Sequence, residues 1–208
     1  MISLFAAVDR KTPPKTRMPR QCNAGEALYQ AGQDGLAWRV RHGVVRLDTA
    51  LANGETAFAS LAIAGDIVGC ETLLFGAYTF SASALTQCAL SPWPEGETAA
   101  AGESLLASLA NAQRRAADLV ALRGGQAAAR VTGLIRLLCD NAGQVVLPTR
   151  QDIADITDLR FETISRIIKA LERSGVLATQ RVDGVHATRA YAVNLAALST
   201  LGLGIGNS

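Results

Sequence analysis

The chain is poor in aromatic residues, in histidine and in net charge, and each shortage narrows what it can be. Aromatics make up 5% of its 208 residues, so alanine and leucine must do most of the core filling, which favours tight helix packing in at least part of the chain. Its only histidines, His42 and His186, lie in different segments with no nucleophile motif beside either, and that gives an enzymatic reading little support. Cys22, Cys70, Cys88 and Cys139 form no C-x-x-C pair and no Cys/His zinc spacing, so no metal site is expected. With no signal peptide ahead of them they read as reduced thiols of a cytoplasmic protein. No stretch reaches the ~20 apolar residues of a membrane helix; Met1 to Val8 is apolar but short, and the polar run Asp9 to Arg20 follows it. The formal net charge is +2, too small to mark a nucleic-acid binder, so any case for DNA rests on where the charges sit.

What is present is enough to fold. The composition is 49% hydrophobic and 18% charged, and the length suits one large or two modest domains. Residues 1–21 hold Arg10, Lys11, Lys15, Arg17 and Arg20 among Pro13, Pro14 and Pro19 and read as an N-terminal arm, either a solvated tail or a phosphate-touching segment. Residues 22–100 show short apolar runs punctuated by Gly25, Gly32, Gly43, Gly54, Gly65 and Gly69. The runs are Ala27 to Tyr29, Leu36 to Arg41, Val44 to Leu47, Ala57 to Ile63, Ile67 to Val68 and Thr79 to Leu90. Short strands between turn signals predict a β barrel or roll. Asn53-Gly54 marks a hairpin whose central residues must both tolerate positive φ.

The period changes after residue 100. Over 101–124 the spacing predicts a helix, from about Glu103 to Arg123, in which Leu105, Leu109, Ala112, Ala116 and Leu119 form a 4-3-4-3 stripe. Asn111, Arg114, Arg115 and Asp118 lie elsewhere on it. Such a stripe can pack on its own β domain, or serve as a seam against an identical helix; the alanines in its middle favour the seam of a homodimer. Residues 125–208 form the last segment. It opens with a helical run, Gln126 to Asn141, apolar at Val131, Leu134, Ile135 and Leu138, and a short strand, Gln144 to Leu147.

Thr149 to Asp158 reads as a short helix capped by Thr149, with Asp152 in its first turn and Ile153, Ala154 and Ile156 on its inner side. Asp158 falls at a sharp turn that calls for left-handed backbone. Phe161 to Ser174 reads as a second helix with Ile164, Ile167, Ile168 and Leu171 inside and Gly175 as its stop. Its outer face is Glu162, Ser165, Arg166, Lys169 and Arg173, spaced three or four apart. A solvated face is the ordinary meaning of that pattern. The small Ala154 at the helix crossing, the short turn and a following hairpin favour a helix-turn-helix with a wing instead. That hairpin runs Val176 to Gln180, turns at Asp183-Gly184 and returns over His186 to Val193, flanked by Arg181 and Arg189. Glu162, Ser165 and Arg166 would then meet base edges. Thr149, Arg150, Gln151, Lys169, Arg173 and Arg181 would meet the DNA backbone.

The run from Thr149 to Leu177, T-R-Q-D-I-A-D-I-T-D-L-R-F-E-T-I-S-R-I-I-K-A-L-E-R-S-G-V-L, resembles the CRP/FNR superfamily of bacterial transcription regulators. G-E-A-L-Y-Q-A-G-Q (Gly25 to Gln33) and A-G-D-I-V-G (Ala64 to Gly69) extend the resemblance over nearly the whole chain. It implies an α+β chain with a cyclic-nucleotide-binding-like β-roll as sensor, a long dimerisation helix and a C-terminal winged helix-turn-helix. E-x-x-S-R, formed by Glu162, Ser165 and Arg166, looks like the FNR-type recognition helix. That implies a homodimer on a palindromic, TTGAT-like double-stranded site, with RNA polymerase as a further partner. Glu162 and Arg166 would read a G·C pair and Ser165 a neighbouring A·T pair. Three departures bear on specificity: Arg160 where a capping Ser or Thr is usual, Asp158 in place of the turn glycine, and bulky Phe161 at a position facing a thymine methyl.

The resemblance also frames the effector. Cyclic-nucleotide members pair a Glu with an Arg-Ser/Thr in the phosphate cassette; here Glu71 is present, but Phe80 to Ala84 carries no arginine, which disfavours cAMP. Only Cys22 lies near the N-terminus, which disfavours an iron-sulfur cluster. Haem ligation by His42, Cys22, Cys70 or Met18, a thiol switch through Cys22, Cys70 or Cys88, or another small effector stay open. The competing function is a small-molecule-binding module whose helix-turn-helix is mainly a protein-protein contact.

Overall fold

The computed structural model describes residues 18–94, 98–180 and 189–203, the last three of these and residues 98–101 by backbone alone. The chain divides into two compact units, Met1–Arg115 and Ala116–Ser208. The Asp183-Gly184 turn, Arg181, His186 and the basic arm up to Arg17 lie outside the described residues.

The first unit is built from β1 (Arg20–Cys22), β2 (Ala27–Tyr29), β3 (Ala37–His42), β4 (Val44–Ala50), β5 (Thr56–Ile63), β6 (Ile67–Val68), the short helix α1 (Thr72–Phe75), β7 (Ser81–Ala84) and β8 (Cys88–Trp93). They form two antiparallel sheets, ordered β1-β8-β3-β6 and β2-β7-β4-β5. The core between them holds Tyr29, Val40, Val45, Val68, Tyr78, Cys88 and Leu90. This is the predicted β-roll, with three corrections. Arg20 and Gln21 belong to a strand rather than an arm, with Arg20 opposite Leu90 and its guanidinium on the Leu28 and Ala27 carbonyls. The run Thr79 to Leu90 is two strands in different sheets, because the chain breaks at Leu85 and Thr86, whose amides turn to the Val44 carbonyl. In the β4–β5 hairpin only Gly54 has positive φ, 84°. The loop is long enough for Asn53 Oδ1 to accept the Glu55 amide instead, so Asn53 escapes the strained conformation a two-residue turn demands.

Helix α2 (Thr98–Ala121) starts five residues earlier than its apolar spacing suggests. As far as Arg115 it belongs to the first unit, and there one face is bound by named contacts. Leu105 packs with Ala37, Ile67 and Trp93. Ser104 hydrogen-bonds Arg39, and Ser108 Oγ accepts the Ile67 amide at 2.8 Å. Arg115, which the spacing places off the apolar stripe, is 5% exposed. Its Nη2 lies 3.2 Å from Asp66 Oδ1 and its Nη1 3.2 Å from the Leu61 carbonyl, while Asp66 Oδ2 accepts the Ile63 amide at 2.7 Å. The pair survives burial because its lone pairs and protons are satisfied by backbone as well as by each other.

The second unit continues with the end of α2, then α3 (Ala127–Leu138), β9 (Gln144–Val146), α4 (Arg150–Thr157), α5 (Phe161–Arg173), β10 (Leu177–Thr179), β11 (Ala190–Val193) and α6 (Leu195–Leu203). The sheet order is β10-β11-β9. Helix α3 stops at Leu138, short of Asn141, because Asp140 Oδ1 takes the Ala142 and Gln144 amides and turns the chain. Val131, Leu134, Ile135, Ile153, Ile156, Ile164, Ile168 and Leu198 fill its core. Among the described residues no helix is long and apolar enough to cross a membrane.

Candidate nucleic-acid interface

Helix α4 begins with a reciprocal cap: Thr149 Oγ1 accepts the Asp152 amide at 3.1 Å and Asp152 Oδ2 accepts the Thr149 amide at 3.2 Å. It ends at Asp158, φ 54° and ψ 47°, the one positive-φ non-glycine among the described residues. This is the expected turn, with Asp bearing a conformation that Gly adopts more easily. Sequence reasoning missed what holds that end. Arg123 donates to the Asp155 and Ile156 carbonyls at 3.0 and 3.4 Å, and Arg130 to the Thr157 carbonyl at 3.3 Å. Two guanidinium groups thus satisfy carbonyls that a helix terminus leaves open, at the negative end of its dipole. Their signal in the sequence is slight, since arginine near a helix end is common.

Helix α5 opens at Arg160, which has extended backbone and makes no side-chain cap. Glu162 supplies negative charge in the first turn instead. Ile164, Ile168 and Leu171 are buried and Ile167 half-buried. Glu162, Arg166, Lys169 and Arg173 are exposed, and Ser165 is half-buried among them. The helix therefore completes its apolar packing inside the unit and presents one polar, mainly basic face. Phe161, at the head of that face, is 51% exposed. Thr149 and Gln151 are exposed at the start of α4 and Arg150 is half-buried there; Gln151 Nε2 bonds Asp155 Oδ1 at 2.9 Å within the helix. Strands β10 and β11 pair antiparallel from Leu177 opposite Val193 to Thr179 opposite Tyr191.

The predicted α2 stripe is divided by the structure. Leu105 and Leu119 are buried, Ala112 is half-buried, and Leu109 and Ala116 are exposed. The open apolar line is rotated by about one residue: Leu106 (69% exposed), Leu109 (50%), Ala110, Ala117 and Val120 (73%). Contacts of Ser104, Leu105, Ser108 and Arg115 with their own β-roll turn the Leu105 edge inward.

In the β-roll, Tyr29 stacks on Tyr78 with ring centroids 3.8 Å apart. Tyr78 donates to the Leu36 carbonyl at 2.7 Å, and Glu71 Oε1 accepts the Thr79 amide at 3.3 Å. Strand β7 carries Ser81, Ala82, Ser83 and Ala84 and so supplies no guanidinium of its own for a cyclic phosphate. Burial pushes the thiols of Cys22, Cys70 and Cys139 up, and that of Cys88 to about 11, which leaves them protonated and poorly nucleophilic at neutral pH. Among the described residues no group of His, Cys, Asp and Glu could hold a metal ion.

The family model for a Crp-like helix-turn-helix domain matches residues 129–189. The chain is 29% identical over 160 residues to the nitrogen fixation regulation protein FixK of Rhizobium meliloti, covering 74% of this chain and 75% of that one. It is 28% identical over 183 residues to the transcriptional regulator LdrP of Thermus thermophilus, covering 83% and 91%. A crystal structure of a CRP-family transcriptional regulator from Thermus thermophilus superposes with a TM-score of 0.68 at 26% identity, covering 89% of this chain and 97% of that one.

Proposed function

This chain belongs to the CRP/FNR superfamily of transcription regulators, which are not enzymes, and on that premise we propose that it acts as a homodimer on a palindromic TTGAT-like duplex site. The observation that carries the reading is the outer face of α5. Glu162, Ser165 and Arg166 sit on the first two turns, and Lys169 and Arg173 follow behind. Arg166 suits guanine O6 and N7, Glu162 the N4 amine of the paired cytosine, and Ser165 a neighbouring A·T pair. Lys169, Arg173, Thr149, Arg150, Gln151 and Arg181 take the phosphates. Phe161 offers hydrocarbon to a thymine methyl.

Dimerisation through α2 is part of the same reading. It uses the open line Leu106, Leu109, Ala110, Ala117 and Val120 with Ala116 beside it, since Leu105 and Leu119 are already buried. Apolar surface of that length on a single helix is covered most simply by its own copy. RNA polymerase is the expected further partner, and the cytoplasm the expected place of action. The roll is the sensor, for a signal other than cAMP or an iron-sulfur cluster; haem or another small effector is compatible with this reading. Domain limits near 22–100, 101–124 and 125–208 follow from it, with strand β1 moved into the roll.

The test is a gel-shift titration of a TTGAT-N-ATCAA-type duplex against a scrambled one at the same salt. Tighter binding to the first supports the reading, and equal affinity for both overturns the claim of sequence specificity.

A further inference from the structure

The turn between α2 and α3 is bonded to the end of α4, and the two arginines that make the bond lie outside the helix-turn-helix. All the residues concerned belong to the second unit, Ala116–Ser208, or to the chain leading directly into its turn. The hydrogen bonding of α2 runs into the turn without a break: the amides of Leu122, Arg123 and Gly124 donate to the Asp118, Val120 and Ala121 carbonyls. Leu122 is buried. A Cβ on Gly133 of α3 would lie 2.5 Å from Leu122 Cδ2, so this glycine leaves the room that the leucine fills. Arg130, in the first turn of α3, donates from Nε to the Gly124 and Gly125 carbonyls at 3.2 and 3.1 Å. Its Nη1 reaches the Thr157 carbonyl at 3.3 Å. Arg123, in the turn itself, donates to the Asp155 and Ile156 carbonyls at 3.0 and 3.4 Å. The end of α2, the turn and the end of α4 are thereby one hydrogen-bonded joint.

That joint sits just ahead of the recognition helix. After Thr157 the chain turns at left-handed Asp158, and only Leu159 and Arg160 precede Phe161. Where the end of α4 is held, the start of α5 is held with it. A guanidinium suits this task, because its rigid fork can give protons to two backbone segments at once, whereas an ammonium on a flexible stem is a single point of charge. Carbonyls of the buried residues Ile156 and Thr157 need such donors, since a helix end leaves them open. We propose that Arg123 and Arg130 are positioning residues that set half-site spacing: they tie the α4–α5 turn to the end of the dimerisation helix and so fix where each protomer's recognition helix stands. The proposal rests on the homodimeric DNA-binding reading above. One added base pair moves a half-site by about 3.4 Å and turns it by about 35° around the duplex, so a recognition helix held in this way rejects a spacer of the wrong length.

The experiment uses the full chain, with fluorescence-anisotropy titrations at one salt concentration. The probes are TTGAT-type palindromes at the best spacing and with one base pair added or removed, a duplex carrying a single half-site, and a scrambled duplex. In the double variant Arg123→Gln, Arg130→Gln the preference for the best spacing should fall by about tenfold, while affinity for the single half-site stays within about twofold of wild type. A folded variant that keeps the wild-type spacing preference overturns the proposal. Equal losses on the palindrome and the single half-site overturn it too, since they mark arginines that serve stability alone. So does a wild-type protein that prefers the palindromes to scrambled DNA yet is indifferent to spacer length. Should the double variant fail to fold, Arg130→Lys takes its place: it keeps the charge but loses the fork that spans Gly124, Gly125 and Thr157, and an unchanged spacing preference there overturns the proposal equally. Wild-type protein that binds the palindromes no better than scrambled DNA would sink the DNA-binding reading itself, an outcome distinct from failure of the arginine variants alone.

Discussion

Helices α2 and α5 dispose of the same kinds of side chain in opposite ways. Helix α5 buries Ile164, Ile168 and Leu171 and exposes Glu162, Arg166, Lys169 and Arg173. Helix α2 buries Arg115 and exposes Leu106, Leu109 and Val120. The difference lies in what each helix has already finished. Helix α5 has completed its apolar packing, so what it offers is polar and suits a polar partner. Helix α2 commits Ser104, Ser108 and Arg115 to its own β-roll, and beside exposed Asn111, Arg114 and Asp118 it offers a line of hydrocarbon that suits a second hydrocarbon face.

Four measurements would break or sharpen that contrast. The largest effect belongs to the buried charge. Arg115→Ala leaves Asp66 unpaired in the interior and should destabilise the protein by about 3–5 kcal/mol, read as a lower urea midpoint. Wild-type stability in that variant would mean that α2 does not depend on its ion pair. Next comes the open line. Leu106→Glu with Leu109→Glu should leave each protomer folded but shift sedimentation from dimer to monomer, since the seam must desolvate a carboxylate at each site. A protein that stays dimeric would place the seam elsewhere. On α5, Arg166→Ala should cost roughly 1–3 kcal/mol of DNA affinity and relax preference at one base pair, whereas Lys169→Ala should weaken all sequences alike. Identical behaviour of the two would erase the division between base reading and backbone holding. The smallest effect is at the cap: Thr149→Ala should cost about 1 kcal/mol of stability, seen as a modest fall in unfolding temperature.

The helix-turn-helix was the most legible part of the chain because its signals are local. The Thr149–Asp152 cap, the left-handed Asp158 and the isoleucine spacing of α5 each act within a few residues. The roll was legible as a class, through its turn glycines. Its strand boundaries were less so, because the break between β7 and β8 is made by bonds from Leu85 and Thr86 to Val44, some forty residues away in sequence. The α2 stripe misled because alanines occur around much of that helix, so more than one apolar line of heptad spacing can be drawn on it.

By itself the sequence settled that the chain carries a β-roll, a long helix and a helix-turn-helix, since period, caps and turn residues act over short distances. Only the tertiary structure decided which way α2 faces, that Arg115 is buried, and that the Tyr191 hydroxyl meets Glu172. Those outcomes depend on partners brought together from distant parts of the chain, Asp66 with Arg115 and Tyr191 with Glu172. No local pattern records them, because a helix presents whichever face its folded neighbours leave unsatisfied.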